Sequence, residues 1–161
     1  MNKGLNHLQS LIGQPIGNHQ CYALSAEYAG IMDGPGMGAM TKYDINHQIG
    51  NVWSAAEIGS AYDWTLYGWH VIVEPTYEQL VTGAIINWKL GARVSEDMLA
   101  PRTFGHTGVI KSLLNHQFQT YEQNAELGEI VVEYNRNFFD SSQISSICIP
   151  PDFEKGVINI E

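Results

Sequence analysis

The sequence predicts an α+β domain in which helices come first and an antiparallel β-sheet follows. Three observations carry this. Apolar residues recur at helical spacing near the N-terminus, β-branched and aromatic runs dominate from Trp69 onward, and turn residues separate those runs. The runs stand roughly ten to twenty residues apart, which favours antiparallel pairing over βαβ units.

The first helix is expected over Asn6 to Ile12, where Leu5, Leu8, Leu11 and Ile12 share a face and Gly13 stops the run before Pro15. The second is the Ala- and Leu-rich stretch Cys21 to Ala29, entered through the turn Gly17-Asn18-His19-Gln20 and closed by Gly30. A Gly-rich loop, Asp33 to Gly38, comes next; it runs into Ala39 rather than Lys-Ser/Thr, so it is no phosphate loop. Asn51 to Ala61 suggests another short helix. Strands are expected at Trp69–Val73, Ala84–Trp88, Thr107–Ile110, Gln117–Glu122, Ile130–Tyr134 and Ile147–Ile149. Residues 1–150 are expected to form one domain, with 151–161 a linker or C-terminal tail.

Composition narrows the function. The chain has 161 residues, is 44% hydrophobic and only 16% charged, and is large enough to bury a substantial core. Its formal charge of −9 leaves no basic stripe to displace counterions from phosphates, so nucleic acid is not an expected partner. No run approaches the ~18 apolar residues of a membrane helix, so no membrane is expected either. The N-terminus lacks the build of a secretory signal. Two cysteines are too few for a disulfide scaffold or a Cys-rich zinc site.

The chemistry centres on one of those cysteines. Cys21 stands where a polar turn becomes a helix, and the helix dipole with its unpaired N–H groups favours thiolate there. A lone cysteine on an apolar helix usually serves as a small hydrophobe. Two features set this one apart: the polar turn before it, and Gln20, whose side-chain amide could donate to an oxyanion. Cys148, between two isoleucines on a strand, reads as core.

A thiolate nucleophile needs an imidazole to activate it and to protonate the leaving group. Of six histidines, His7, His47 and His116 sit in polar stretches, and His70 lies in an apolar strand as a core histidine would. His19 is too near Cys21 along a helix start to converge on it. His106 opens a strand between Gly105 and Gly108, where another backbone or a substrate can approach closely. Glu122 and Asn124 project from one face of a later strand, and either could accept the second ring N–H of His106. Among the aromatics most are expected in the core, with Trp64 and Tyr67 at the rim of a substrate cleft.

The ordered set resembles the CHAP family, the cysteine, histidine-dependent amidohydrolase/peptidase domains with a papain-like fold. The likeness is greatest to catalytic domains of endolysins from phages of Gram-positive cocci. It rests on Gly17-Asn18-His19-Gln20-Cys21-Tyr22-Ala23-Leu24-Ser25, Tyr62-Asp63-Trp64, Tyr67-Gly68-Trp69 and Gly83-Ala84-Ile85-Ile86-Asn87-Trp88. It continues through Gly105-His106-Thr107-Gly108-Val109-Ile110, Tyr121-Glu122-Gln123-Asn124 and Asn135 to Asp140. The resemblance implies Cys21 as nucleophile, His106 as general base and acid, Glu122 as orienting residue and Asn124 as supporting group. Gln20 and the Cys21 backbone N–H would hold the oxyanion. Ala84 replaces an acidic residue usual in the family. The calcium ligands that some relatives carry before the cysteine are absent from Gly13 to His19, so neither a metal nor another cofactor is expected.

The implied activity is hydrolysis of an amide in Gram-positive peptidoglycan through a thioester. The first expectation is an N-acetylmuramoyl-L-alanine amidase, and the alternatives are an endopeptidase of stem or cross-bridge and an inactive wall-binding module. The resemblance further implies synthesis in the host cytoplasm without a signal peptide and action on the wall after release. The acidic charge implies a separate wall-binding domain or partner subunit.

Overall fold

The computed structural model describes residues 1–38 and 54–151. Helix α1 (Lys3–Ser10) begins three residues before the expected start, because the Asn2 side chain accepts the Leu5 N–H at 2.6 Å and caps it. It buries Leu5 and Leu8 against helix α2 (Cys21–Ile31), each worth about 1.5–3 kcal/mol of transfer free energy. The two helices touch at Gly4, where a Cβ would lie 2.5 Å from the Tyr28 ring. The short helix expected over Asn51–Ala61 is a 3₁₀ turn, Ala55–Glu57, running into α3 (Ile58–Ala61), with Asn51 to Trp53 outside the described residues.

All six expected strands are present: β1 (His70–Val73), β2 (Ile85–Trp88), β5 (His106–Leu114), β6 (Gln117–Ala125), β7 (Gly128–Asn137) and β8 (Ile144–Ile149). They form one antiparallel sheet in the order β1-β8-β2-β5-β6-β7. A small ribbon of β3 (Arg93–Ser95) and β4 (Met98–Leu99), too short to show in the sequence, stands beside it.

Period-2 alternation splits the core between the two faces of the sheet. Ile85, Val109, Tyr121 and Cys148 pack with the helices and with Tyr62, Trp64 and Trp69. Ile86, Trp88, Ile110, Phe118 and Ile147 pack on the other side with Val94 of the ribbon. Cys148 is wholly buried, as its isoleucine neighbours suggested, and burial pushes its thiol pKa well up.

Two sequence expectations need correction, those for Trp64 and His70. Trp64 is not at a rim: it is 2% exposed, donates its indole N–H to the Ile58 carbonyl at 2.9 Å and packs on Trp69. Tyr67, by contrast, is half-buried against the same cluster, with the partial exposure expected at a rim. His70 is exposed, at the start of β1, which is an edge strand. His47 and the tail from Asp152 lie outside the described residues.

Candidate active site

Helix α2 begins at Cys21, with Gln20 as its N-cap, so the thiol stands in the first turn, where N–H groups lack partners four residues back. Cys21 is half-buried. The loop leading to it is tied down by Gln123 of β6, whose amide accepts from Ile16 N–H at 2.8 Å. The same amide donates to the carbonyls of Ile16 and Gln20 at 3.1 and 2.9 Å.

One turn into α2, the Ser25 hydroxyl meets that of Thr107 at 2.8 Å, and Thr107 in turn bonds Asn87 Oδ1 at 2.7 Å. All three side chains are wholly buried. This link joins the helix that carries Cys21 to the strand that carries His106, at positions next to both.

His106 opens β5 and is 1% exposed. The strand can start there because Gly105 takes a φ of 73°, and a Cβ on it would lie 2.5 Å from the Trp88 carbonyl oxygen. Trp88, directly opposite in β2, covers the imidazole with ring centres 5.4 Å apart. His106 Nε2 donates to Glu122 Oε1 at 2.8 Å, which leaves Nδ1 for Cys21. Burial pulls the imidazole pKa down. The charge and hydrogen bond of Cys21, then those of Glu122, outweigh it and raise the value to about 10.

Gly108 makes room for the carboxylate, since a Cβ there would lie 2.6 Å from Glu122 Cγ. Of the two residues that could have accepted from His106, the structure selects Glu122. Asn124 adopts a left-handed φ of 58° where the β6–β7 register shifts. That break in alternation carries its amide to Gln20, donating to Oε1 at 2.9 Å. Among the described residues, the –NH₂ end of Gln20 makes no hydrogen bond and stands as a donor.

Beneath Glu122 lies a residue that the sequence reading passed over. Arg136 of β7, 1% exposed at its side chain, donates from Nε to Glu122 Oε2 at 2.9 Å and from Nη2 to Oε1 at 2.6 Å. It also donates to both oxygens of Glu126, at 2.7 and 2.8 Å, and lies over the Tyr134 ring. Burial alone would raise the Glu122 pKa, but its bonds to Arg136 and His106 hold it at about 2. The available signal was the isolation of Arg136, the sole Lys or Arg between Lys111 and Lys155.

A cleft of about 330 Å³ runs along α2 between Asn18, Tyr22, Ala23, Glu27 and Met37, and neither Cys21 nor His106 is among the residues that line it. Among the described residues no group of three or more His, Cys, Asp or Glu side chains is placed to hold a metal ion, and no helix is long and apolar enough to cross a membrane.

Fold and site together define an α+β domain with a Cys–His–Glu arrangement built between a helix start and a strand start. No protein-family model matches the chain, and no curated protein matches it in sequence. Its fold recurs in solved structures. With Ly7917 it shares 20% identity at a TM-score of 0.68, over 93% of this chain and 62% of that one. With PlyC the values are 22% and 0.70, over 90% and 34%. With the wild-type endolysin LysIME-EF1 they are 16% and 0.59, over 93% and 63%. The chain thus spans 62% of the length of Ly7917 and 34% of PlyC.

Proposed function

We propose that this domain is a peptidoglycan hydrolase of the CHAP type that cleaves an amide bond by cysteine nucleophilic catalysis. The observation that carries the reading is His106, buried between Cys21 and the fixed carboxylate of Glu122. The likeness of fold to an endolysin supports it, as does a second structure of Ly7917 solved with the hydrolyzing product of MDP.

In this mechanism the Cys21 thiolate, stabilised by the helix start and by protonated His106, attacks the scissile carbonyl. The oxyanion is held by the Cys21 backbone N–H and the –NH₂ group of Gln20, whose other end Asn124 fixes. His106 protonates the departing amine, leaving a thioester on Cys21. The neutral imidazole then takes a proton from water, the hydroxide adds to the thioester, and the acid product leaves as the thiolate re-forms. Glu122 keeps the ring in register through both halves. Tyr67, half-buried, keeps the role of substrate contact, and Trp64, which is core, does not.

The bond we assign is the N-acetylmuramoyl–L-alanine amide, with a stem or cross-bridge peptide bond as the alternative. Mass spectrometry of wall digests decides between them: new amino groups on L-alanine support the amidase, and those on other residues the endopeptidase. The test of the class is Cys21→Ala. It should fold normally and lose lysis of Gram-positive walls; a variant that still lyses them overturns the mechanism.

A further inference from the structure

Arg136 donates four hydrogen bonds to two carboxylates, and none of the mechanism's steps needs them for its chemistry. We propose that Arg136, braced by Glu126, is a positioning residue: it immobilises Glu122, and through it sets the His106 ring against Cys21. This rests on the cysteine-hydrolase reading and deepens it.

The geometry of Glu122 is the ground for it. Oε1 accepts from His106 Nε2 and Arg136 Nη2; Oε2 accepts from Arg136 Nε and the Thr120 hydroxyl. With donors on both oxygens in a buried site, the carboxylate has no freedom to rotate, so His106 has one acceptor at one place. The guanidinium is fixed in turn. Glu126 grips its outer edge, Ser95 of the β3–β4 ribbon donates to Glu126 Oε2 at 2.6 Å, and the Tyr134 ring lies against its face at 4.5 Å. The chain of contacts therefore runs from the ribbon to the reacting sulfur: Ser95, Glu126, Arg136, Glu122, His106, Cys21. Register places it so, with Thr120 opposite Tyr134 and Phe118 opposite Arg136, which puts Arg136 on the Glu122 side of the hairpin.

Stability alone does not call for such a device. Buried ion pairs are often replaceable by apolar residues at no loss, because taking the charges from water offsets their attraction. What apolar packing cannot supply is a rigid fork for a carboxylate that must itself hold an imidazolium.

The test uses Arg136→Lys, which keeps the charge and loses the fork, and Glu126→Gln, which keeps the shape and loses the outer charge at a partly exposed position. Each variant is checked for native fold by circular dichroism. Cys21 is then alkylated with iodoacetamide across a pH series, with buried Cys148 as an unreactive control. Losing charge-assisted bonds of this kind should slow Cys21 alkylation about tenfold near neutral pH in Arg136→Lys, and shift its pH dependence. Glu126→Gln should show the same change, smaller. On purified walls kcat should fall in step while KM stays within about twofold. Alkylation rates and pH dependence within about twofold of wild type in folded Arg136→Lys overturn the proposal, even if its melting temperature falls. Should Arg136→Lys not fold, the same criteria applied to isosteric Glu126→Gln decide. Alkylation needs no wall, so a wild-type protein that fails to cleave peptidoglycan defeats the hydrolase reading and leaves this test intact.

Discussion

Glu122 presents both its oxygens to Arg136, at 2.9 and 2.6 Å, while one of them also accepts from His106 at 2.8 Å. A carboxylate held by a cation on one side orients an imidazole on the other, and the whole assembly is out of water.

Acid should destabilise the protein through this network. Glu122 and Glu126 both sit at about 2, against 4.5 for an ordinary glutamate. Hydrogen bonds to Arg136 and His106 overcome burial at Glu122, and Arg136 is the main cause at Glu126. Both folded values lie below the unfolded ones, so the unfolded chain binds protons that the folded chain does not. The stabilisation is whole above about pH 4.5 and is lost as pH falls towards 2. Urea midpoints measured down this range should drop, and less steeply in Glu126→Gln. A midpoint that stays flat to about pH 3 contradicts the assignment.

His106 should titrate above the ordinary histidine value of 6.5, chiefly because Cys21 faces it. With a raised folded pKa, the contribution to stability is present below 6.5 and lost as pH rises towards about 10. In ring-labelled protein followed by NMR, Cys21→Ala should lower the His106 midpoint. Equal midpoints in the two proteins would mean that the sulfur is not its partner.

Gly108→Ala should impair the site without touching a reacting group. The added methyl would lie 2.6 Å from Glu122 Cγ and 3.0 Å from the Tyr121 carbonyl oxygen, so the carboxylate must shift. Overpacking of this kind costs about 1–3 kcal/mol, and a displaced Glu122 should also slow Cys21 alkylation. Full reactivity with full stability would show that the pocket around Glu122 is looser than these distances say.

Gln123→Ala should loosen the approach to Cys21. It removes three hydrogen bonds to the Ile16–Gln20 loop and leaves backbone groups there without partners. The expected loss is about 1–3 kcal/mol of stability, together with faster hydrogen exchange over residues 16–20. Unchanged protection in that loop would assign the clamp no role.

Charge bears on encounter with the wall. A domain of formal charge −9 is repelled by anionic wall polymers. Lysis by the isolated domain should therefore rise with moderate salt, since screening at ~0.15 M shortens the interaction to ~8 Å. Fusion to a wall-binding domain should raise it further. Lysis that salt only slows, at a rate equal to that of the fusion, defeats the argument for a separate retention device.

The class of fold and the strand positions were legible in the sequence because they depend on local pattern. Apolar spacing marked α1, Gln20-Cys21 marked the start of α2, and β-branched runs bounded by turn residues marked each of the six sheet strands. The two glycines around His106 also showed there, as positions where something must come close. What came close was a matter for tertiary structure: the Trp88 carbonyl at Gly105 and the Glu122 side chain at Gly108. A strand read alone offered Glu122 and Asn124 as equals, and only the register shift at Asn124 separated them. Trp64 looked like a rim residue in a polar turn until packing placed its ring beneath that turn, in the core. Arg136 stood out in the sequence only by its isolation from other cations, which says nothing of its role, because a buried charge is tolerated only where partners distant in sequence arrive to meet it. Local periodicity determines which segments become helix or strand; the meeting of polar groups across the sheet is decided by register and packing, which no single segment contains.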